Sequence, residues 1–220
     1  MHVDERVPSS AEMVACIQDL LDRWDFKKAH FMGHSFGTVV VSWMIRRAKD
    51  RVHCCTLIDP IIFLTYKSTL VYNFFYRKCV NATQQLIRDF ISKELFICHH
   101  IQRGFFWHES LLEFYHLRDL HAVVVLSAND CLIPVDSIRR ALDLYKMRFS
   151  IDTEFIWLEC EKYGWGHGEL NFGSAGARGW SLIVERMKAM EKAADNRAPF
   201  RLSLKFDPIC GDKCHISRDT

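Results

Sequence analysis

The sequence lacks a large excess of charge of either sign. Its 220 residues carry a net charge of +2, and acidic and basic residues are interspersed along the chain. Neither a basic field suited to nucleic acid nor an acidic solvating tail is present. The sequence also contains no internal repeats and no low-complexity blocks. We therefore expect no nucleic-acid partner.

Long hydrophobic runs are also missing. No stretch reaches the roughly 18 apolar residues of a membrane-spanning helix, because Asp59 and Pro60 interrupt the longest candidate. The N-terminal sequence MHVDERVPSS has no apolar core typical of a secretory signal. Nine cysteines, an odd number and mostly isolated, favour reduced thiols over a disulfide framework. We expect an intracellular protein, cytoplasmic or peripherally associated with a membrane.

A hydrophobic content of 49% is enough for one sizeable core. Strands and helices alternate along the first 194 residues, which predicts a single α/β domain with a mostly parallel sheet flanked by helices. The pattern of apolar residues predicts strands at 29–32, 53–58, 122–127 and 153–158, and helices at 10–23, 36–45, 135–147 and 175–192. A capping box, Ser9 with Glu12, precedes the first helix.

Residues 61–120 interrupt this alternation and are called the cap below. They are helical in propensity and rich in aromatic residues, which indicates a helical cap inserted between two strands. The rings either form the packing core of the cap, which we favour, or line a substrate site. The aromatic residues concerned are Phe63, Tyr66, Tyr72, Phe74, Phe75, Tyr76, Phe105, Phe106, Trp107, Phe114 and Tyr115.

The C-terminal residues, 195–220, lose periodicity and are predicted to form a poorly ordered tail. Cys210, Cys214 and His215 lie there, but no fourth ligand stands at a spacing typical of zinc sites. We expect no metal site and no cofactor.

The motif Gly33-His34-Ser35-Phe36-Gly37 follows a predicted strand and begins a predicted helix. This is the context of a nucleophile elbow, in which a strained turn exposes the serine hydroxyl and flanking glycines avoid collisions between strand, turn and helix. The backbone N–H of Phe36 would then be one oxyanion donor. A tight turn without chemistry is the alternative interpretation.

A serine hydroxyl becomes a good nucleophile only when a base takes its proton and an acid orients that base. Asp130 follows the strand at 122–127, and His167 follows the next strand. We predict that they are the acid and the base, because catalytic groups collect at the carboxyl ends of parallel strands. Asp59, at the end of the strand 53–58, is an alternative acid. His34 more plausibly shapes the site than acts as the base.

With these motifs the sequence resembles the α/β-hydrolase fold superfamily. The resemblance covers residues 10 to about 192 and rests on GHSFG, NDCLIP and GHGEL. It implies that Ser35 attacks an ester, thioester or amide carbonyl, that His167 is the general base, that Asp130 is the acid, and that the cap controls access. A serine at the elbow argues against the haloalkane dehalogenase and epoxide hydrolase branches, which attack through a carboxylate.

The resemblance is incomplete before the elbow. The family places four strands, a helix and an oxyanion-hole loop ahead of the elbow strand, whereas this sequence has 28 residues there. We therefore expect a truncated chain in which strand 29–32 lies at an open edge with apolar faces exposed. The usual second oxyanion donor would also be missing, and loss of one such donor typically costs ~10²–10³ in rate.

The sequence thus predicts a partial α/β-hydrolase fold and a serine hydrolase acting on an uncharged or lipophilic ester or related acyl bond. One alternative is a non-catalytic binding or interaction protein that retains the fold and its pocket. Another is an acyltransferase that passes the acyl group to an alcohol or amine. The sequence does not indicate an oligomeric state.

Overall fold

Four parallel strands form a sheet in which neighbours in the chain are neighbours in space. The computed structural model describes residues 7–149, 153–158, 166–167 and 173–196. The strands are β1 (Ala29–His34), β2 (Val52–Ile58), β3 (His121–Ser127) and β4 (Thr153–Leu158), in the order β1-β2-β3-β4. His34 lies beside Ile58, and Ile58 beside Val125, so the carboxyl ends of the strands share one edge of the sheet.

Helices cover both faces of the sheet. The helices outside the cap are α1 (Ser10–Arg23), α2 (Gly37–Arg47), α7 (Val135–Phe149) and α8 (Gly173–Asp195), and those of the cap are α3 (Thr69–Tyr76), α4 (Ala82–Ile87), α5 (Leu95–Arg103) and α6 (Trp107–Ser110). The core under α1, α2 and α7 includes Leu57 and Val124, whereas Ile58 and Val125 pack with α8 on the other face. Consecutive residues of β2 and β3 are therefore both buried, which explains why the two strands are apolar apart from His53 and Thr56 in β2 and the terminal residues of β3.

The α/β architecture with a parallel sheet predicted from the sequence is confirmed. The capping box at the start of α1 is present, with Ser9 accepting from the Glu12 N–H and the Glu12 carboxylate accepting from the Ser9 N–H. The strand predicted at 29–32 continues two residues further, to His34. This extension brings β1 up to the elbow without an intervening loop.

Strand β1 lies at one edge of the described sheet. The expectation that its apolar faces are exposed holds only in part, because Phe31 packs against the core and Met32 is exposed. His30 is held by Glu191 and Thr56 on the α8 side. Polar contacts and core packing thus occupy much of this strand.

Short helices make up the cap. A π-helical turn, Arg88–Ser92, links α4 to α5, and a 3₁₀ turn, Phe114–Leu117, precedes β3. Of the eleven aromatic residues predicted to form the packing core of the cap, Phe63 alone is fully buried. The prediction of an aromatic packing core is therefore wrong for most of the rings. Six of them are exposed: Tyr66, Tyr72, Tyr76, Phe106, Trp107 and Tyr115.

The length of the cap helices explains this exposure, because helices of four to nine residues bury little surface against one another. Within the described ranges, no helix combines the length and apolar character needed to span a bilayer. The predicted tail lies outside the described residues beyond Asn196, as do Cys210, Cys214 and His215.

Candidate active site

Ser35 occupies a strained turn between β1 and α2. Its φ of 50° is in the left-handed region, which residues with a side chain rarely adopt. The Ser35 N–H donates to the carbonyl of Ile58 at 2.9 Å, which joins the turn to β2. The buried Thr38 hydroxyl donates to the Ser35 carbonyl at 2.5 Å and accepts the Ile61 N–H at 3.3 Å. The turn is therefore fixed from the sheet, from α2 and from the start of the cap.

The two glycines of the elbow have different roles. A Cβ on Gly33 would lie 2.7 Å from the carbonyl carbon and oxygen of Gly37, closer than packed atoms tolerate. A Cβ on Gly37 would meet no atom of the described residues within 4 Å. The predicted steric need for glycine is confirmed at Gly33, where the start of α2 lies against the strand, and is wrong at Gly37 among the described residues, because a Cβ there would enter open space.

Ser35, His167 and Asp130 form a continuous hydrogen-bonded chain. The Ser35 Oγ lies 2.7 Å from His167 Nε2, and His167 Nδ1 lies 2.6 Å from Asp130 Oδ2. A carboxylate oxygen can only accept, so Nδ1 carries the proton and donates to Asp130. In the neutral imidazole Nε2 is then free to accept the Ser35 hydroxyl proton. These side chains are 132 and 37 positions apart in the sequence.

The Asp130 carboxylate is held from its own loop. Its Oδ1 accepts the backbone N–H groups of Leu132 at 2.7 Å and Ile133 at 3.2 Å, which leaves Oδ2 for His167. The side chain of Asp130 is fully buried and that of His167 nearly so. Little water reaches the pair, so the ionic hydrogen bond between them is strong.

Asp59, the alternative acid, lies beside this chain of hydrogen bonds but is bonded elsewhere. Its Oδ1 accepts the Ser127 N–H at 2.9 Å, and its Oδ2 is 3.7 Å from His34 Nε2, beyond hydrogen-bond distance. Side-chain ligand atoms of Asp59, Asp130 and His167 nevertheless lie within 4.8 Å of one another. His167 thus faces two carboxylates, one bonded and one adjacent.

These neighbours shift two pKa values. Burial alone would lower the pKa of His167, yet the charge and hydrogen bond of Asp130, with a further contribution from Asp59, raise it above its ordinary value. Burial is the largest single influence on the pKa of Asp59 and by itself would raise that pKa. His34, the charge of His167 and the hydrogen bonds of Ser127 together outweigh it and hold the pKa of Asp59 below its usual range.

A cavity of about 470 Å³ opens at Ser35 beneath the cap. Ser35 and Phe36 form its floor with Ile61 and Leu132, and cap helices α3 and α5 supply most of the remaining wall. The cap residues in that wall are Leu70, Val71, Phe74, Ile91, Phe96, Ile97, His100, Ile101 and Phe105.

Of the described residues that line the cavity, His100 alone has a titratable imidazole or carboxylate side chain. Burial, with a smaller contribution from the charge of His99, lowers the pKa of His100, so the ring is neutral at pH 7. The cavity therefore presents the serine hydroxyl and a neutral imidazole within an apolar wall.

Phe36 is the N-cap residue of α2. Its backbone N–H lies at the helix N-terminus, where N–H groups have no carbonyl one turn earlier to donate to. The partial positive charge of that helix end is directed at the region of Ser35. The position is suited to the predicted oxyanion donor.

Two clusters of potential metal ligands occur among the described residues, and their side chains are engaged with one another. One consists of Asp59, Asp130 and His167, already described. The other is His30, Cys54 and Glu191, in which both His30 nitrogens are bonded, at 2.6 Å to Glu191 and 2.9 Å to Thr56. Burial, with the nearby carboxylates, raises the pKa of the Cys54 thiol to about 12, so it is protonated.

Sequence reasoning missed Thr38 and the cavity-lining residues of the cap. Thr38 lies within an apolar helix sequence and gave no signal beyond its position after the elbow. His100 is one of many residues of the cap segment, and the place of its ring in the cavity wall depends on how short helices pack. Nothing in the local sequence fixes that packing.

The chain is similar to known hydrolases in sequence and fold. The sequence profile of the alpha/beta hydrolase fold matches residues 5–123, a range that includes Ser35 and ends before Asp130. No curated protein matches the chain. Among solved structures, the meta-cleavage product hydrolase CumD, from Pseudomonas fluorescens, has a TM-score of 0.53 at 17% identity, over 90% of this chain and 76% of that chain.

Two further solved structures give comparable values. A carboxylesterase structure from Nitrososphaera gargenis has a TM-score of 0.52 at 11% identity, over 84% of this chain and 74% of that chain. The 2-hydroxy-6-oxo-6-phenylhexa-2,4-dienoate hydrolase BphD, from Rhodococcus, has a TM-score of 0.50 at 15% identity, over 79% and 69%. At these identities the likeness concerns the fold.

The elbow glycines allow a matched stability test. We expect Gly33→Ala to lower the free energy of unfolding by about 1–3 kcal/mol, because the new methyl group must displace backbone. Gly37→Ala should leave it unchanged or raise it by up to about 1 kcal/mol, since the position is helical and open. Urea denaturation followed by circular dichroism measures both. Equal destabilisation by the two variants would contradict the different roles of the glycines.

The two carboxylates beside His167 predict different pH profiles. His167 must be neutral to act as a base, so kcat/KM should fall as the pH drops through its raised pKa. Asp130→Asn should lower kcat by about 10⁴-fold, because Nδ1 loses its acceptor. Asp59→Asn should cost no more than about tenfold and move the acidic limb to lower pH, since one negative charge near His167 is lost.

The measurement is kcat/KM from pH 5 to 9 for the wild type and both variants. The side-chain amide introduced by Asp59→Asn retains an oxygen that accepts the Ser127 N–H, so the variant keeps the local fold. A larger loss for Asp59→Asn than for Asp130→Asn would identify Asp59 as the acid.

Proposed function

The chain belongs to the α/β-hydrolase fold family, and on that premise we propose that it is a serine hydrolase that cleaves an ester or related acyl bond of an uncharged, lipophilic substrate. The observation that carries the proposal is the hydrogen-bonded chain from Ser35 through His167 to Asp130, at 2.7 and 2.6 Å. Nucleophile, base and orienting acid need these contacts in this order.

In the first half of the reaction, Ser35 Oγ attacks the carbonyl carbon while its proton passes to His167 Nε2. The resulting imidazolium is stabilised by the Asp130 carboxylate on Nδ1. The negative charge on the carbonyl oxygen is stabilised by the Phe36 N–H at the start of α2. Collapse of this intermediate breaks the acyl bond, and the alcohol leaves with the proton from His167.

In the second half, water replaces the alcohol. His167 takes a proton from the water as its oxygen attacks the acyl carbon bound to Ser35. The acid product is released, and the proton returns to Ser35 Oγ. The raised pKa of His167 favours proton uptake in each attack and still leaves the ring able to release the proton to the departing oxygen.

The cavity supports the choice of a lipophilic substrate. Among the described residues its wall is apolar apart from Ser35 and a neutral His100, so a charged group would lose its hydration against them without a partner. An alkyl or aryl group would instead bury apolar surface against side chains such as Phe74 and Ile97. This complementarity is independent of the chemistry at the serine.

Ser35→Ala tests the nucleophile. We expect the wild-type chain to react with a fluorophosphonate probe and to hydrolyse a p-nitrophenyl ester. Ser35→Ala should abolish labelling and lower kcat by about 10⁶-fold, because the alcohol that attacks is gone. Ser181→Ala, which removes an exposed hydroxyl on α8, is the matched control and should retain both activities.

Results at odds with hydrolysis separate the other candidates. A lipophilic ester that binds wild type and Ser35→Ala equally, with no turnover by either, would replace the proposal with a binding protein. Formation of a new ester in the presence of a competing alcohol, in preference to the free acid, would indicate an acyltransferase.

Acyl-chain length tests the cavity. From acetate to hexanoate esters of one alcohol, kcat/KM should rise by up to about fourfold per methylene, which corresponds to about 0.8 kcal/mol for each buried CH₂. A terminal carboxylate on the hexanoyl chain should remove this gain. A flat or falling series, with turnover of acetate intact, would contradict a lipophilic substrate but not a serine hydrolase.

A further inference from the structure

The mouth of the cavity is formed by exposed apolar residues. Val7, Val71, Ile91 and Phe96 line the cavity and are also more than a third exposed to solvent. A side chain that both lines a cavity and reaches solvent lies where the cavity opens. Val71, Ile91 and Phe96 come from α3, the π-helical turn and α5, so three elements of the cap surround the opening.

The apolar character continues outward from the mouth. Each of the three cap residues has an exposed apolar neighbour in the sequence that does not line the cavity, namely Tyr72, Phe90 and Leu95. The side chains of Phe90 and Leu95 are 73% and 74% exposed, so they pack against little of the protein. We call Tyr72, Phe90 and Leu95 the rim. Exposed apolar residues grouped around an opening are typical of a docking site rather than of ordinary surface.

Positive charge is concentrated in the same part of the chain. Residues 67–103 contain six basic and two acidic residues, a net charge of +4, whereas the whole chain carries +2. Lys93 lies in sequence between Ile91 and Leu95, is largely exposed and forms an ion pair with Asp89 at 2.9 Å, so it adds less free charge than its neighbours in this count. The basic residues are Lys67, Arg77, Lys78, Arg88, Lys93 and Arg103, and the acidic ones are Asp89 and Glu94.

We propose that the rim docks on the surface of an anionic lipid bilayer, so that a lipophilic substrate passes from the bilayer through the mouth to Ser35. Exposed aromatic and aliphatic side chains enter the boundary between headgroups and acyl chains, and nearby cations pair with anionic headgroups. A second copy of the chain fits less well, because two rims in contact would bring two segments of net charge +4 together.

This inference rests on the proposed function in one respect, namely that the molecule passing from the bilayer to Ser35 is a lipophilic acyl substrate. Docking itself depends on the apolar rim and on the positive charge of residues 67–103. Membrane binding and ester hydrolysis are therefore measured separately, and one can fail without the other.

Sedimentation with vesicles tests docking. The probes are vesicles of phosphatidylcholine alone and of phosphatidylcholine with about 30% phosphatidylserine, mixed with the full chain. We expect at least tenfold stronger partitioning to the anionic vesicles. Added salt should weaken it, because each basic residue near the surface contributes roughly fivefold. The double variant Phe90→Asp with Leu95→Asp should lose at least tenfold.

A control pair of similar exposure lies on α7, which does not line the cavity. Leu144 and Met147 are 68% and 84% exposed, and Leu144→Asp with Met147→Asp adds the same charge. This variant should partition like the wild type, within about twofold once the added charge is allowed for. Hydrolysis of p-nitrophenyl acetate should be the same in all three proteins, since neither pair lines the cavity.

Three outcomes would overturn the inference. The first is no binding of the wild type to anionic vesicles while acetate is hydrolysed, which leaves the proposed function intact. The second is equal loss of binding in the rim and control variants, which would make the surface non-specific. The third is concentration-dependent self-association that only the rim variant abolishes, which would make a second copy the occupant.

Discussion

The hydrogen bond from the Ser35 N–H to the Ile58 carbonyl is the contact on which the site depends. It joins the left-handed turn at the end of β1, in which Ser35 has a φ of 50°, to the end of β2. The residue after Ile58 is Asp59, whose N–H in turn donates to Val125 of β3. The same register of parallel strands therefore sets the positions of Ser35 and of both carboxylate-bearing loops.

His167 lies between two carboxylates that differ in what they are bonded to. Asp130 is neutralised in part by two backbone N–H groups of its own loop and keeps one oxygen for the imidazole. Asp59 directs one oxygen to the Ser127 N–H and leaves the other near His34. One carboxylate thus orients the ring through a hydrogen bond, and the other changes its proton affinity through charge alone.

Sequence reasoning singled out the elbow, Asp130 and His167 because each follows a strand whose apolar pattern is local and strong. It preferred Asp130 to Asp59 as the acid only because of their positions in the sequence. The hydrogen bond between Asp59 and Ser127 depends on the alignment of β2 and β3, which the sequence does not show. It also misjudged Gly37 and most of the aromatic rings in the cap. Those errors share a cause: whether a side chain meets a neighbour there depends on the direction of a helix, which the local pattern does not encode.

The sheet and the cap divide the tasks of the molecule. Residues at the strand ends are buried, hydrogen-bonded and held by close packing from both faces. The cap helices are short, expose much of their apolar surface and contribute most of the cavity wall. Local opening costs least where few apolar contacts are buried, so the cap is the part of the described chain that can open without disturbing Ser35 and His167. In the proposed hydrolase, selectivity would therefore reside in the least constrained part of the fold, and chemistry in the most constrained.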